Sequence, residues 1–296
     1  MNDDTITHEG LCGRKALNKA GKNITASRIL VNLFLIIVTL VVLVPVYMTV
    51  VGSLKTDSTI AESPFSLTRL TLANFKIVFS NQSGNVLKMY FNTIVITGSA
   101  VVLIIIIETM AGYYLARKKS KIAVLLSLIF VSGLMIPDEV IIIPLVTMYA
   151  KLNLIGTIHG LFLFFVGARG IIAIFLYQKF IGTIPYELEE SAIVDGAGQL
   201  RIIWQIIFPL LKPCTATVAI FVGLGVWNDF LMPVFLLRDS DAKTITVGIY
   251  SALGETIQNW ALAFAWVVVA ALPVALLFLL FQRFFIDGMT AGAIKG

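Results

Sequence analysis

Six long apolar runs dominate the chain: Ile29 to Val51, Asn92 to Ala116, Ile122 to Val146, Thr157 to Tyr177, Cys214 to Leu237 and Trp260 to Ile286. A helix needs about 20 apolar residues to cross a hydrocarbon core. Each run therefore predicts one spanning helix, and the last, being longest, predicts a tilted one. The polar stretches between them contain no heptads, no internal repeat and no soluble domain. The pattern predicts an all-α integral membrane protein of six transmembrane helices. Its parts are an N-terminal segment over 1–28, a membrane domain over 29–286 and a tail over 287–296. One hydrophilic loop, at 180–213, lies inside the membrane domain.

Composition supports lipid as the solvent. Hydrophobic residues make up 58% of the 296 and charged residues only 13%, against about a quarter charged in soluble domains. Lys and Arg are unevenly placed. Fourteen fall on the N-terminal segment, the turn after the second run, the 180–213 loop with its edges, and the C-terminal end; seven fall on the opposite side. That bias places both termini and the loop in the cytoplasm of a multi-pass protein of the plasma (inner) membrane. The first 28 residues are polar and basic and lack a signal-peptide cleavage site, so the first run reads as a retained helix. Cys12 and Cys214 imply neither a disulfide framework nor a metal site. Pro45, Pro137, Pro144, Pro233 and Pro273 lie within the runs. Each removes a helix hydrogen bond and predicts a kink, though proline is also common in spanning helices.

The chain offers little catalytic chemistry. Gly21-Lys22 is no phosphate loop, because the upstream glycine is missing and Asn23 stands where Ser or Thr is needed. His8 and His159 read as solvated or structural, and no nucleophile–base pair stands out. The expectation is a chain that is not an enzyme and holds no cofactor or metal. Glu108, Arg169 and Asp229 are ionisable groups inside the runs. A charge at the bilayer centre costs about 3 kcal/mol on insertion scales. They either line a polar path or pair with each other, and Glu108 with Arg169 is the expected pair.

The 180–213 loop carries four carboxylates, Glu187, Glu189, Glu190 and Asp195, between two apolar runs. Pro185 suits the first turn of a helix. The glutamates follow where the positive helix end favours them. Asp195 can cap a second helix, and Gly196 permits a sharp bend and close approach of another backbone. An amphipathic stretch from Gln199 to Phe208 then ends at Pro209. The loop reads as helix, glycine bend, helix: a compact knob on the membrane surface. It is either a solvated hairpin or the grip of a soluble partner.

Glu190-Ser191-Ala192, Asp195-Gly196-Ala197, Ile206, Pro209 and Pro213 resemble the EAA signature of ABC importer permeases. Ser191 and Phe208 stand where alanine and leucine are usual. The resemblance extends along the chain through Ser53-Leu54-Lys55, Asn74-Phe75, Asn92-Thr93, Tyr113 to Arg117, and Pro137 to Val140 with Pro144. Trp227 to Phe230 with Pro233, and Gly288 to Gly296, are similar to the carbohydrate class. The smaller membrane subunit of the maltose importer is of this type.

The resemblance implies a type I ABC importer permease fold and a carbohydrate substrate, expected to be an oligosaccharide, moved by alternating access. It implies as partners a second, homologous permease, two copies of an ATPase that hold ATP and Mg, an external sugar-binding protein and membrane lipid; nucleic acid is not expected. Glu187, Glu190, Ala192, Asp195, Gly196, Ala197 and Pro209 would form the element that docks into the ATPase. Trp227, as a stacking face for a sugar ring, with Asn228, Asp229, Arg169 and Glu108, would line the pathway. Thr290, Gly292 and Lys295 of the tail would reach the ATPase. A permease for another solute class and an ion-driven secondary transporter are the alternatives, though no repeated halves support the latter.

Overall fold

The computed structural model describes the backbone of residues 6–80, 85–237, 241–255 and 259–293, and the side chains of residues 28–80, 85–237, 241–251 and 259–279. Every described element is helical. Helix α1 (Ile6–Ser53) passes without a break through the boundary expected at residue 28. From Arg28 to Tyr47 its side chains are exposed on every side of the axis, among them Phe34, Ile37 and Val41. A helix apolar all round belongs in lipid or against a partner chain. Helix α1 packs on the final helix of the chain.

The first connection holds α2 (Asp57–Glu62) and α3 (Ala73–Phe79). Lys55 is fully buried in it. Its Nζ donates to the Ser63 carbonyl at 2.6 Å, and to the Pro64 carbonyl and Ser66 Oγ at 3.4 Å each. Asn74 Nδ2 donates to the carbonyls of Ser53 and Lys55 at 2.9 and 2.7 Å. The ammonium thus meets three oxygens, one for each of its N–H bonds, and ties the connection into a strut.

The remaining elements are α4 (Val86–Arg117), α5 (Lys121–Gly133), α6 (Asp138–Lys151), α7 (Ile158–Ile181), α8 (Glu187–Val194), α9 (Gln199–Leu210), α10 (Lys212–Asn228), α11 (Leu231–Leu236), α12 (Ile245–Glu255) and α13 (Trp260–Ala293). Helices α4 and α7 form the central pair, α10 packs on both, and α13 packs on α10 and α1. Gly112 allows the central contact: a Cβ there would stand 2.7 Å from Tyr177 Cβ and 3.1 Å from the Gln178 backbone nitrogen. Small residues let spanning helices approach where lipid supplies no hydrophobic drive between them. Ile96, Ala100, Ile104, Phe165, Val218 and Val222 fill the core of this trio.

Four helices among the described residues are long and apolar enough to cross a membrane: Arg28–Ser53 of α1, α4, α7 and Trp260–Leu279 of α13. The count rises to six if each of two bent pairs is one span, α5 with α6 at 103° and α9 with α10 at 82°. Three expectations change here. The third run is not one straight helix, because Pro137 disfavours helical backbone at Ile136 and itself adopts φ −63°, ψ 139° before α6 begins. The fifth run is interrupted at Asp229, which is extended (φ −65°, ψ 128°) between α10 and α11. The sixth helix passes Ile286 and reaches Ala293. Pro45, Pro144 and Pro273 do remain inside helices.

Candidate functional site: a surface hairpin and a charged cluster in the helices

Helices α8 and α9 form the expected hairpin. Glu187, Glu189 and Glu190 occupy the first turn of α8, with Pro185 two residues ahead of it. Gly196 has φ +79°, a conformation in which glycine escapes the steric penalty of a side chain. Asp195 does not cap the second helix. It is the C-cap of α8, and Gly198 is the N-cap ahead of Gln199, because the Gly196 turn falls between Asp195 and the new helix. Within α9, Ile202–Ile207 is a π-helical stretch that buries Ile202, Ile203 and Ile207. Such a wide turn re-aims side chains and recurs at functional sites. Pro209 lies inside α9, and the chain turns at Leu211 instead.

The hairpin has two faces. Glu189 points inward and is only 1% exposed. It accepts the Tyr113 hydroxyl at 2.7 Å and Arg117 Nε at 2.7 Å, and Arg117 Nη2 lies 2.6 Å from the same carboxylate. Arg117 Nη2 also donates to the Ile184 carbonyl at 3.0 Å, and the guanidinium lies 5.7 Å from the Tyr186 ring centre. Ala192 is buried in the core, and the Ala197 N–H donates to its carbonyl at 2.9 Å. Ala192 and Ala197 therefore close the hairpin rather than face outward. The outer face carries Glu187, Glu190, Asp195 and Gly196, with Ile193, Leu200 and Val194 exposed, Val194 to 87%. Apolar side chains grouped at a tip and rimmed by carboxylates mark a contact surface.

Inside the helices, Arg169 Nη2 lies 2.9 Å from Asp229 Oδ2 and 3.0 Å from Asp138 Oδ2. The expected Glu108–Arg169 pair is not formed. Glu108 is buried on α4 against the backbone at Gly170, one residue past Arg169 and on a different side of α7. Arg169 instead takes the two carboxylates released by helix breaks: Asp138 begins α6 and Asp229 follows α10. Asp229 also accepts the Met232 N–H at 3.0 Å, and its carbonyl accepts the Thr246 hydroxyl at 2.8 Å.

Trp227 packs with Val86, Met89, Ile245 and Trp266 and is nearly enclosed, so its ring is not the open stacking face anticipated. With Asn228 it borders a cavity of about 880 Å³ between α4, α10 and α13, lined also by Thr97, Gly223 and Phe278. Thr290 and Gly292 lie on the backbone of α13, and Lys295 lies outside the described residues. Sequence reasoning gives neither Glu189 nor Asp138 a site role. Glu189 sits among like carboxylates, and only the Tyr113 and Arg117 pair at the end of α4 hints at a partner.

The sequence profile of the family described as "Binding-protein-dependent transport system inner membrane component" matches residues 108–291, more than half of the chain. The melibiose/raffinose/stachyose import permease protein MelC of Bacillus subtilis (strain 168) is 35% identical over 92% of this chain and 98% of its own. The arabinooligosaccharides transport system permease protein AraQ of the same organism is 31% identical over 91% and 96%. A chain of a bacterial ABC transporter involved in the import of the acidic polysaccharide alginate superposes with a TM-score of 0.77 over 90% of this chain and 98% of that one, at 21% identity, a likeness of fold. The EAA-like hairpin, the helical fold and these matches agree: the chain belongs to the binding-protein-dependent transport system inner membrane components, the multi-pass, non-catalytic permease subunits of ABC importers.

Proposed function

We propose that this permease imports a carbohydrate, specifically an oligosaccharide. The observation that carries the substrate class is the naming of relatives that align over nearly their whole length. MelC is named for melibiose, raffinose and stachyose, and AraQ for arabinooligosaccharides. In this reading the chain pairs with a second, homologous permease. Two copies of an ATPase dock below the permease pair, one of them on this hairpin, and bind the ATP and Mg, and an external sugar-binding protein delivers the sugar. Both termini and the hairpin face the cytoplasm of the plasma membrane.

The residues have distinct parts. The outer face of the hairpin, with Glu187, Glu190, Asp195, Val194 and the Gly196 bend, supports the docking role. Its carboxylates suit cationic side chains across an interface. The Arg169 cluster ties together the two broken helices, the places where irregular backbone at membrane depth is tolerated around a pathway. Closure of the ATPase would move the hairpin and, with it, the helices behind it.

Uptake of labelled raffinose, stachyose and arabinooligosaccharides, measured in cells with and without the gene, tests the substrate class. Loss of uptake of at least one of these sugars on deletion, restored by the native chain, is expected. Unchanged uptake of all of them with loss of an amino acid or peptide would overturn the carbohydrate reading.

A further inference from the structure

Helix α4 holds a polar clamp at each end. At the hairpin end, Tyr113 and Arg117 grip the buried carboxylate of Glu189. At the other end, Asn92 Nδ2 donates to the Lys243 carbonyl at 3.1 Å, and Thr93 Oγ1 accepts the Ile245 N–H at 3.0 Å. Tyr90 adds a bond to the Val269 carbonyl. Thr93 and Arg117 are separated by about 36 Å of helix at the α-helical rise, more than the roughly 30 Å of a hydrocarbon core. One rigid element therefore touches the hairpin on one side of the membrane and the α12–α13 region on the other.

The far clamp leads directly to the charged cluster. Thr246, next to Ile245, donates to the Asp229 carbonyl, and Asp229 pairs with Arg169, which pairs with Asp138. Bonded contacts thus run from the hairpin through α4 to the breaks at Asp138 and Asp229.

From this continuity we propose that Glu189 and Arg117 are the positioning pair that makes α4 transmit hairpin movement to those two breaks. The inference rests on the importer reading and adds to it. Glu190 and its exposed neighbours face the ATPase, whereas Glu189 faces the membrane helices and carries the stroke onward. Arg117 Nε and Nη2 both meet Glu189 Oε1 while the Tyr113 hydroxyl holds Oε2, and a charged pair pinned at three points resists sliding. Its burial lowers screening by water and salt.

The test uses the full transporter, purified with its ATPase and second permease, in liposomes with its binding protein. ATP hydrolysis and sugar uptake are measured together. Glu189→Gln leaves Arg117 unpaired and can harm folding. The doubly neutral variant Glu189→Gln with Arg117→Gln removes that buried charge and keeps a hydrogen-bonding side chain at both positions. Sugar moved per ATP should fall by about fivefold or more in the double variant, the scale of an allosteric coupling, with the ATPase still bound and hydrolysing. Arg117→Lys, which keeps the charge but loses the two-nitrogen contact with Oε1, should fall between it and the native protein. A native ratio of uptake to hydrolysis in the double variant overturns the proposal. So does failure of the single and the double variant alike to assemble, since the cluster is then a folding element. A native chain that binds no ATPase would instead defeat the importer reading itself.

Discussion

Arg169 and Asp229 meet at 2.9 Å where α10 ends and the fifth apolar run is interrupted. The same guanidinium reaches Asp138 at the first residue after the Pro137 break. One arginine in an unbroken helix therefore holds two interruptions in its neighbours. Arg169→Ala would leave both carboxylates uncompensated at membrane depth. Breaking a buried pair costs about 3–5 kcal/mol, and the side chain's partial exposure of 33% points to the low end. The expected result is a clearly lowered melting temperature for the purified protein. Asp229→Asn, which keeps the Asp138 pair, should lower it less.

Gly196 at φ +79° has nothing within 4 Å of the place a Cβ would occupy. A substitution there meets strain without a clash. Gly196→Val should destabilise the bend by about 1–2 kcal/mol, the penalty of left-handed backbone for a residue with a side chain. Limited proteolysis should cut within 187–210 faster than in the native chain, with the membrane helices intact.

Lys55 is the opposite case, a charge enclosed by carbonyls and a hydroxyl. Lys55→Met fills similar volume but takes the Nζ donor from the Ser63 and Pro64 carbonyls, of which Ser63 keeps the Ser66 N–H and hydroxyl. Hydrogen bonds to a charged group contribute about 1.5–3 kcal/mol, and the half-buried carbonyls here point to the low end. Faster protease cleavage between residues 54 and 80, on intact membranes, is the expected readout.

How much of this is legible before the structure depends on whether the cause is local. The bend at Gly196 can be read, because a glycine between two helix-forming stretches has few other uses. Pro137 can be read as a disturbance, but a 103° turn cannot, since its angle is set by the packing of α5 and α6 on other helices. The partners of Arg169 cannot be read either, and the expected one is wrong. Glu108 and Arg169 both lie within unbroken helices, and sequence says nothing of the rotation that turns Glu108 toward Gly170 and Arg169 toward the breaks. Glu189 and Glu190 are neighbours of the same type, yet one is buried and the other exposed. On a helix as short as α8, only the position of α4 decides which faces inward.

The central helix pair offers a further check. Gly112→Leu would drive a side chain into Tyr177 and the backbone at Gln178. Overpacking typically costs about 1–3 kcal/mol, and here backbone blocks the easy adjustments. Cysteines placed on α4 and α7 near this contact should cross-link efficiently in the native background and poorly with Gly112→Leu.

The most direct measurement is affinity purification of the tagged native chain from gently solubilised membranes, beside Val194→Asp and Glu190→Lys. Both positions are exposed at the hairpin, so the fold should tolerate either change. Recovery of an ABC ATPase and a second permease with the native chain is expected, with loss of the ATPase but not of the second permease in the variants. An ATPase that follows the variants as well as the native chain, or that is absent from all three, would contradict docking through the hairpin.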